Sequence, residues 1–362
     1  MEYILFLTYR CNLSCKYCFA KNLVHNREKN TVSITQEKIR SICEYIETDI
    51  NTNHREKNSI VFFGGEPSLV PDIIGNIMEQ TSHLRMNYSI YTNGLLLDKF
   101  PDSILKKLQT ILVAIDGDKE SHERFKPVGS YDKILNNVRA LKDKTKAQII
   151  GRITLEENSN IYYSVKNLLN LFDYVHWQIV NKEEFYNPRK FIVEYKQNLQ
   201  RLFNDWIEAL ASGVVLNIIP FNRIVLSLLS NETPISFRCG CGSTIQAIDV
   251  DGNIYSCDEY IENQNNALGS IYDDSYNFIQ HKNHVNLFTD CSKCDISSIC
   301  LGRCRKMLET QSQDHIRKYC ELTQILVNMM IMSIEEIKQI ISSQNIDLSE
   351  FHTEIYDTEV IP

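Results

Sequence analysis

Twelve cysteines, spaced as a close group, a singleton and a long array, constrain this chain more than any other feature of its 362 residues. Cys11, Cys15 and Cys18 crowd the start, Cys43 stands alone, and Cys239, Cys241, Cys257, Cys291, Cys294, Cys300, Cys304 and Cys320 fill the last third. The opening MEYILFLTYR lacks the charged start, long apolar core and cleavage site of a secretory signal. No apolar run nears the ~18 residues of a membrane span. A cytoplasmic location is the expectation, and in that reducing compartment twelve cysteines point to metal or redox chemistry rather than six disulfides. The 38 basic and 46 acidic side chains leave a net charge of −8. Such a balance offers no general attraction for phosphate backbones or anionic lipid, so neither nucleic acid nor membrane is an expected partner.

Between the cysteine groups the sequence alternates strand-length apolar runs with helical patterns. The runs are 3–9, 59–63, 88–91, 111–115, 148–154 and 175–180, and each is followed by a helical segment. Ser33 and Gln36 suggest a capping box, after which Ile39, Ile42, Cys43, Ile46 and Ile50 recur on one helix face. Leu199, Leu202, Phe203, Trp206, Ile207 and Leu210 mark a second amphipathic helix ending before Gly213. Alternation of this kind predicts an α/β fold with a parallel sheet, doubly wound or curled into a partial (β/α)6 TIM-like barrel. Beyond about residue 235 glycines and cysteines dominate, with Asp251-Gly252 placed as a hairpin turn between 246–250 and 253–257. A C-terminal helix is expected from Leu322 to about Ile341, its Met329, Met330 and Met332 serving as core filler. The expected division is 1–235, a small Cys-rich domain at 236–325, and a helical extension at 326–362.

Three thiolates at the end of the first strand can wrap one compact inorganic centre. Structural zinc closes with four ligands, whereas a cube of four irons held by three cysteines leaves one iron open. Eight further thiolates can complete two four-ligand sites, although zinc also fits any Cys-x2-Cys taken alone. Cys43 falls on the apolar stripe of its helix and reads as core.

The run Cys11-x3-Cys15-x2-Cys18, with Tyr17 before the last cysteine, resembles the radical S-adenosylmethionine (radical SAM) superfamily. Gly64-Gly65-Glu66-Pro67 is similar to that family's GGEP segment, which holds the SAM amino group; Thr92-Asn93 and Asp116 end later strands as in relatives. Arg152 resembles a position that meets the SAM carboxylate, while Ala114 replaces a serine that often contacts the ribose. The resemblance implies SAM-binding roles for Tyr17, Gly64, Gly65, Glu66, Pro67, Thr92, Asn93, Asp116 and Arg152. It also implies reductive cleavage of SAM to a 5′-deoxyadenosyl radical that abstracts hydrogen from a substrate. The C-terminal array resembles the SPASM domain of peptide- and protein-modifying members. By that likeness Cys239, Cys241, Cys257 and Cys304 hold one auxiliary 4Fe-4S cluster and Cys291, Cys294, Cys300 and Cys320 a second, giving three clusters in all.

Asp258 after Cys257 resembles the proton-accepting aspartate of sulfatase-maturing members, and Gln178 a glutamine near the substrate in relatives; both are catalytic candidates by that likeness. Ala20 replaces the aromatic residue that helps those maturases bind their substrate backbone. The implied function is modification of a ribosomally made precursor peptide or protein, by cross-linking or oxidation, in a monomer fed by a flavodoxin- or ferredoxin-type donor. With ten residues before Cys11, leader recognition is expected from a separate protein or at the barrel mouth. The alternatives are formylglycine formation as in sulfatase maturases, and a non-catalytic iron–sulfur carrier or zinc protein.

Overall fold

The computed structural model describes residues 1–24, 34–181, 185–229, 239–273 and 289–351. Its strands are β1 (Glu2–Phe6), β2 (Asn58–Phe63), β3 (Met86–Thr92), β4 (Thr110–Ala114), β5 (Gln148–Leu155), β6 (Tyr174–Ile179), β7 (Ile245–Ile248), β8 (Asn253–Tyr255) and β9 (Gly269–Ser270). The principal helices are α1 (Gln36–Thr52), α2 (Pro71–Gln80), α3 (Ser130–Leu141), α4 (Ile161–Lys166), α5 (Pro188–Ala211), α6 (Ile219–Leu229), α7 (Gln313–Met332) and α8 (Ile334–Gln344). All six predicted strands are present. The chain divides into two compact units, 1–114 with 123–149 and 240–284, and 115–122 with 150–239 and 285–362.

In the first unit the strand order is β4-β3-β2-β1-β7-β8-β9. β1 pairs in parallel with β2 and with β7, and β2, β3 and β4 continue in parallel. Every residue of β1 is buried, which explains its unbroken apolar run: a strand covered on both faces has no solvent side to alternate with. β1 stops at Phe6 and not at Tyr9, because the carbonyls of Thr8 and Arg10 bind the turn after β2 rather than a continuing ladder. α1 buries Ile39, Ile42, Cys43 and Ile46 as its spacing predicts. Thr35 is the cap, accepting the Lys38 amide; Ser33 lies outside the described residues. The expected hairpin forms between β7 and β8, with Ala247 opposite Tyr255. The buried Asp249 carboxylate accepts the amides of Asp251 and Asn253 at 2.9 Å, closing the turn.

The second unit holds the parallel pair β5 and β6, in register from Ile150–Tyr174 to Leu155–Ile179. α5 packs against α4, α7 and α8, and its Trp206 donates to Asn222 of α6 at 3.1 Å. The single C-terminal helix expected from Leu322 is two helices. α7 begins at Gln313, where Ser312 caps it, and breaks from α8 at Ser333, so Cys320 lies inside a helix rather than ahead of one. Of the three methionines Met330 is buried, whereas Met332 is 86% exposed and fills no core.

Candidate active site and cysteine groups

The turn after β2 shows why two glycines stand there. The Gly65 amide donates to the Thr8 carbonyl at 2.7 Å and the Glu66 amide to the Arg10 carbonyl at 2.8 Å. A Cβ on Gly65 would sit 2.3 Å from the Arg10 oxygen; one on Gly64, whose φ is +147°, would sit 2.7 Å from that of Thr8. Only hydrogen fits between these backbones. The segment entering Cys11 is thereby clamped to the GGEP turn.

Glu66 is 1% exposed. Its Oε1 accepts the Ser68 amide at 3.0 Å and the Thr92 hydroxyl at 2.7 Å, and its Oε2 accepts the Asn93 amide at 2.8 Å. Burial pushes the carboxyl pKa up, and these donors pull against that push. Pro67 opens the short turn Pro67–Leu69. Asn93 in turn donates from Nδ2 to Asn12 Oδ1 at 2.7 Å, linking Glu66 to the residue next to Cys11. The structure thus joins Glu66, Thr92 and Asn93 into one strut beneath the cysteine loop.

Cys11, Cys15 and Cys18 are half-buried. The Cys11 thiol is pushed up to about 12, chiefly by burial; the Leu13 amide opposes this, while Glu66, Cys15 and Cys18 add to it. Burial raises Cys18 also. The three thiols and Glu66 therefore share one electrostatic neighbourhood. Tyr17 packs on Phe125 at 5.7 Å between ring centroids, and Lys126 lies 5.8 Å over the Tyr17 ring while donating to the Ala114 carbonyl at 2.9 Å. The Lys16 backbone amide donates a hydrogen bond to the Phe125 carbonyl at 3.3 Å. Lys126 and Phe125 were not legible as parts of the site, because their relation to Tyr17 exists only after folding.

In the second unit Arg152 donates from Nη2 to Gln178 Oε1, so two separately predicted residues meet. Asp116 is 2% exposed; its Oδ1 accepts the Thr154 amide, and its own amide donates to His122 Nδ1. Asp258 starts the turn Asp258–Glu262, with Cys257 as the preceding cap residue, in the first unit.

The C-terminal thiols Cys291, Cys294, Cys300 and Cys320 come together. Cys320 is pushed up to about 11 by burial, Arg303 opposes the rise, and Cys300, Cys291 and Cys294 reinforce it. Gln324, one turn after Cys320, donates to Cys294 Sγ at 3.8 Å. Cys241 is buried, and Gly240 before it has φ +75°, with Thr244 Oγ1 2.0 Å from where a Cβ would lie. Among the described residues no three His, Cys, Asp or Glu side chains converge tightly enough for a single metal ion. Thiols around a four-iron cube each meet a different iron and so stand further apart than the ligands of one ion, and thiolate is the donor such a cube takes.

Residues 5–158 match the model of the Radical SAM superfamily. The chain is 26% identical over 345 residues to a cysteine-type anaerobic sulfatase-maturating enzyme of Clostridium perfringens, covering 86% of this chain and 90% of the relative. It is 25% identical over 355 residues to the radical SAM cyclopropyl synthase TigE of Paramaledivibacter caminithermalis, covering 89% and 72%. Among solved structures, native anSMEcpe with bound AdoMet and Cp18Cys peptide superposes with a TM-score of 0.71 at 20% identity, covering 93% of this chain and 99% of that one. The fold is the α/β partial barrel expected from the strand–helix alternation. Residues 5–158 therefore carry the match to a radical SAM domain, and over most of its length the chain is similar in sequence to enzymes named as a sulfatase maturase and a cyclopropyl synthase. No helix among the described residues is long and apolar enough to cross a membrane.

Proposed function

We propose that this chain is a cytoplasmic radical SAM maturase that modifies a ribosomally made peptide or protein, forming a cross-link or an oxidised residue. The observation that carries the reading is the clamped loop. Three neighbouring thiols are held against the Gly64-Gly65-Glu66 turn by backbone bonds that only glycine permits, which fits three ligands and one open iron. When bound, SAM and a reduced cluster supply a carbon-centred radical able to take a hydrogen atom from substrate.

Around that chemistry the chain's own residues orient and exclude. Cys11, Cys15 and Cys18 would hold the SAM-binding cluster. Glu66, with Gly64, Gly65, Pro67, Thr92 and Asn93, would shape the end of SAM that carries the amino group; Tyr17, Asp116 and Arg152 are the further SAM contacts of the proposal. The eight C-terminal cysteines would hold two auxiliary clusters in a SPASM-like region at 236–325, flanked by the barrel at 1–235 and a helical extension at 326–362. A flavodoxin- or ferredoxin-type protein would supply electrons, and the enzyme would act as a monomer. Relatives named for sulfatase maturation and for cyclopropyl synthesis, and a structural neighbour with a bound peptide, support a peptide substrate.

Anaerobic reconstitution tests this directly. About twelve irons per chain and conversion of SAM to 5′-deoxyadenosine are expected from three four-iron clusters. One or two zincs with little iron would end the enzymatic reading. Co-expression with short peptides encoded beside the gene, followed by mass spectrometry, would identify the product; loss of two hydrogens marks oxidation or cross-linking. Asp258 favours a second reading, formylglycine formation, in which it accepts the proton of a substrate cysteine or serine. Asp258→Asn should then keep all clusters and SAM cleavage yet lose product; normal turnover would remove Asp258 from the mechanism.

A further inference from the structure

Arg303 lies between Gly302 and Cys304 and is 9% exposed. An arginine so buried is rare unless something holds its charge. Its Nη1 donates to Thr323 Oγ1 at 2.6 Å, and its guanidinium lies 5.6 Å over the Tyr319 ring. Tyr319 and Thr323 stand one helical turn apart on α7 and bracket Cys320 in sequence. Both are fixed in turn: Tyr319 donates its hydroxyl to the Val180 carbonyl at 2.5 Å, and Thr323 donates to the Tyr319 carbonyl at 3.0 Å. The cation is therefore held by α7 at two residues that flank Cys320 in sequence, and Cys300 on the approaching segment meets the Gly302 carbonyl with its Sγ at 3.7 Å.

We propose that Arg303 is a positioning residue that holds a fixed positive charge against the Cys291, Cys294, Cys300 and Cys320 group and raises the reduction potential of the cluster bound there. The inference rests on the proposed ligation of a four-iron cluster by those thiols. Reduction by a low-potential one-electron donor adds one electron to a cube already carrying four thiolates. No proton moves at Arg303, whose guanidinium stays charged throughout. A buried cation stabilises the more negative, reduced form, because the low-dielectric surroundings screen it little.

The test is a potentiometric titration of the reconstituted full-length protein with dithionite, following each cluster by its electron paramagnetic resonance signal. Arg303→Gln should make one auxiliary cluster at least tenfold harder to reduce, about 59 mV more negative for one electron. Arg303→Lys should restore most of the difference, because it keeps the charge while losing the planar fork. A fully loaded protein whose potentials are unmoved in Arg303→Gln overturns this inference alone. Iron absent from the C-terminal group in the wild type overturns the ligand assignment and this inference with it.

Discussion

The two cysteine groups differ in the charge set against them. Burial raises the pKa of both Cys11 and Cys320, but the buried carboxyl of Glu66 adds to the rise at Cys11, whereas the buried guanidinium of Arg303 opposes it at Cys320. The scaffolds differ as well. The N-terminal loop is held by backbone bonds to a glycine turn and by the chain Glu66–Asn93–Asn12, while in the C-terminal group Cys320 stands on α7, a helix whose Thr323 accepts from the buried Arg303. A negative neighbour makes the addition of an electron harder, as a centre that must drive a demanding reductive cleavage requires. A positive neighbour makes it easier, as suits a centre that stores or relays electrons. In the proposed reading the same inorganic unit is set to two tasks by the sign of one buried side chain.

The largest expected effect removes one side of the comparison. Cys15→Ala should abolish production of 5′-deoxyadenosine and lower iron by about four per chain, while the C-terminal group keeps its metal. Loss of all iron would mean that the two groups do not load independently. Gly65→Ala attacks the clamp instead of a ligand. Its Cβ would meet backbone, which cannot rotate away, so about 3 kcal/mol of stability should be lost in urea unfolding, together with SAM cleavage. Unchanged stability would mean that the segment from Thr8 to Arg10 yields, and that the glycines are there for the cofactor alone.

Much of this was legible beforehand, for a physical reason. Strands buried on both faces announce themselves as continuous apolar runs, so the six strands could be read directly. What could not be read is which polar side chains turn inward. Thr92 and Asn93 read in sequence as ligand contacts; in the fold the Thr92 hydroxyl also donates to Glu66 and the Asn93 side chain to Asn12. Arg152 and Gln178, given separate roles, pair with each other across adjacent strands. Arg303 is one of many basic residues until α7 brings Tyr319 and Thr323 to it, and the start of that helix was itself misplaced because Ser312 is a cap whose partner, His315, carries no apolar signal.

Glu66→Gln sharpens the electrostatic side of the comparison at lower cost. The amide keeps one oxygen but turns an NH2 group toward a donor, either the Asn93 amide or the Thr92 and Ser68 pair, so about 1–3 kcal/mol should be lost. Removing the carboxylate should also make the SAM-binding cluster easier to reduce, the opposite direction to Arg303→Gln. Shifts of the same sign in both variants would break the proposed opposition.

The smallest effect belongs to Cys43, the thiol in neither group, which shows what burial does without a charged partner set to a task. It lies on the buried face of α1, and its thiol is pushed up to about 12 by burial, with Glu44 adding to the rise. The folded state therefore holds its proton longer than the unfolded chain, whose thiol ionises near 9. The stability contributed by keeping that proton is complete below about pH 9 and declines as pH rises toward 12, where the folded thiol also ionises. In native protein with its clusters loaded, Cys43 should resist iodoacetamide at about pH 8 and react only on unfolding. Cys43→Ala should cost about 1 kcal/mol, leave iron content and 5′-deoxyadenosine formation unchanged, and flatten the stability profile between pH 9 and 12. Rapid labelling of the native protein would show instead that the α1 face opens, and that burial alone does not set the thiol apart.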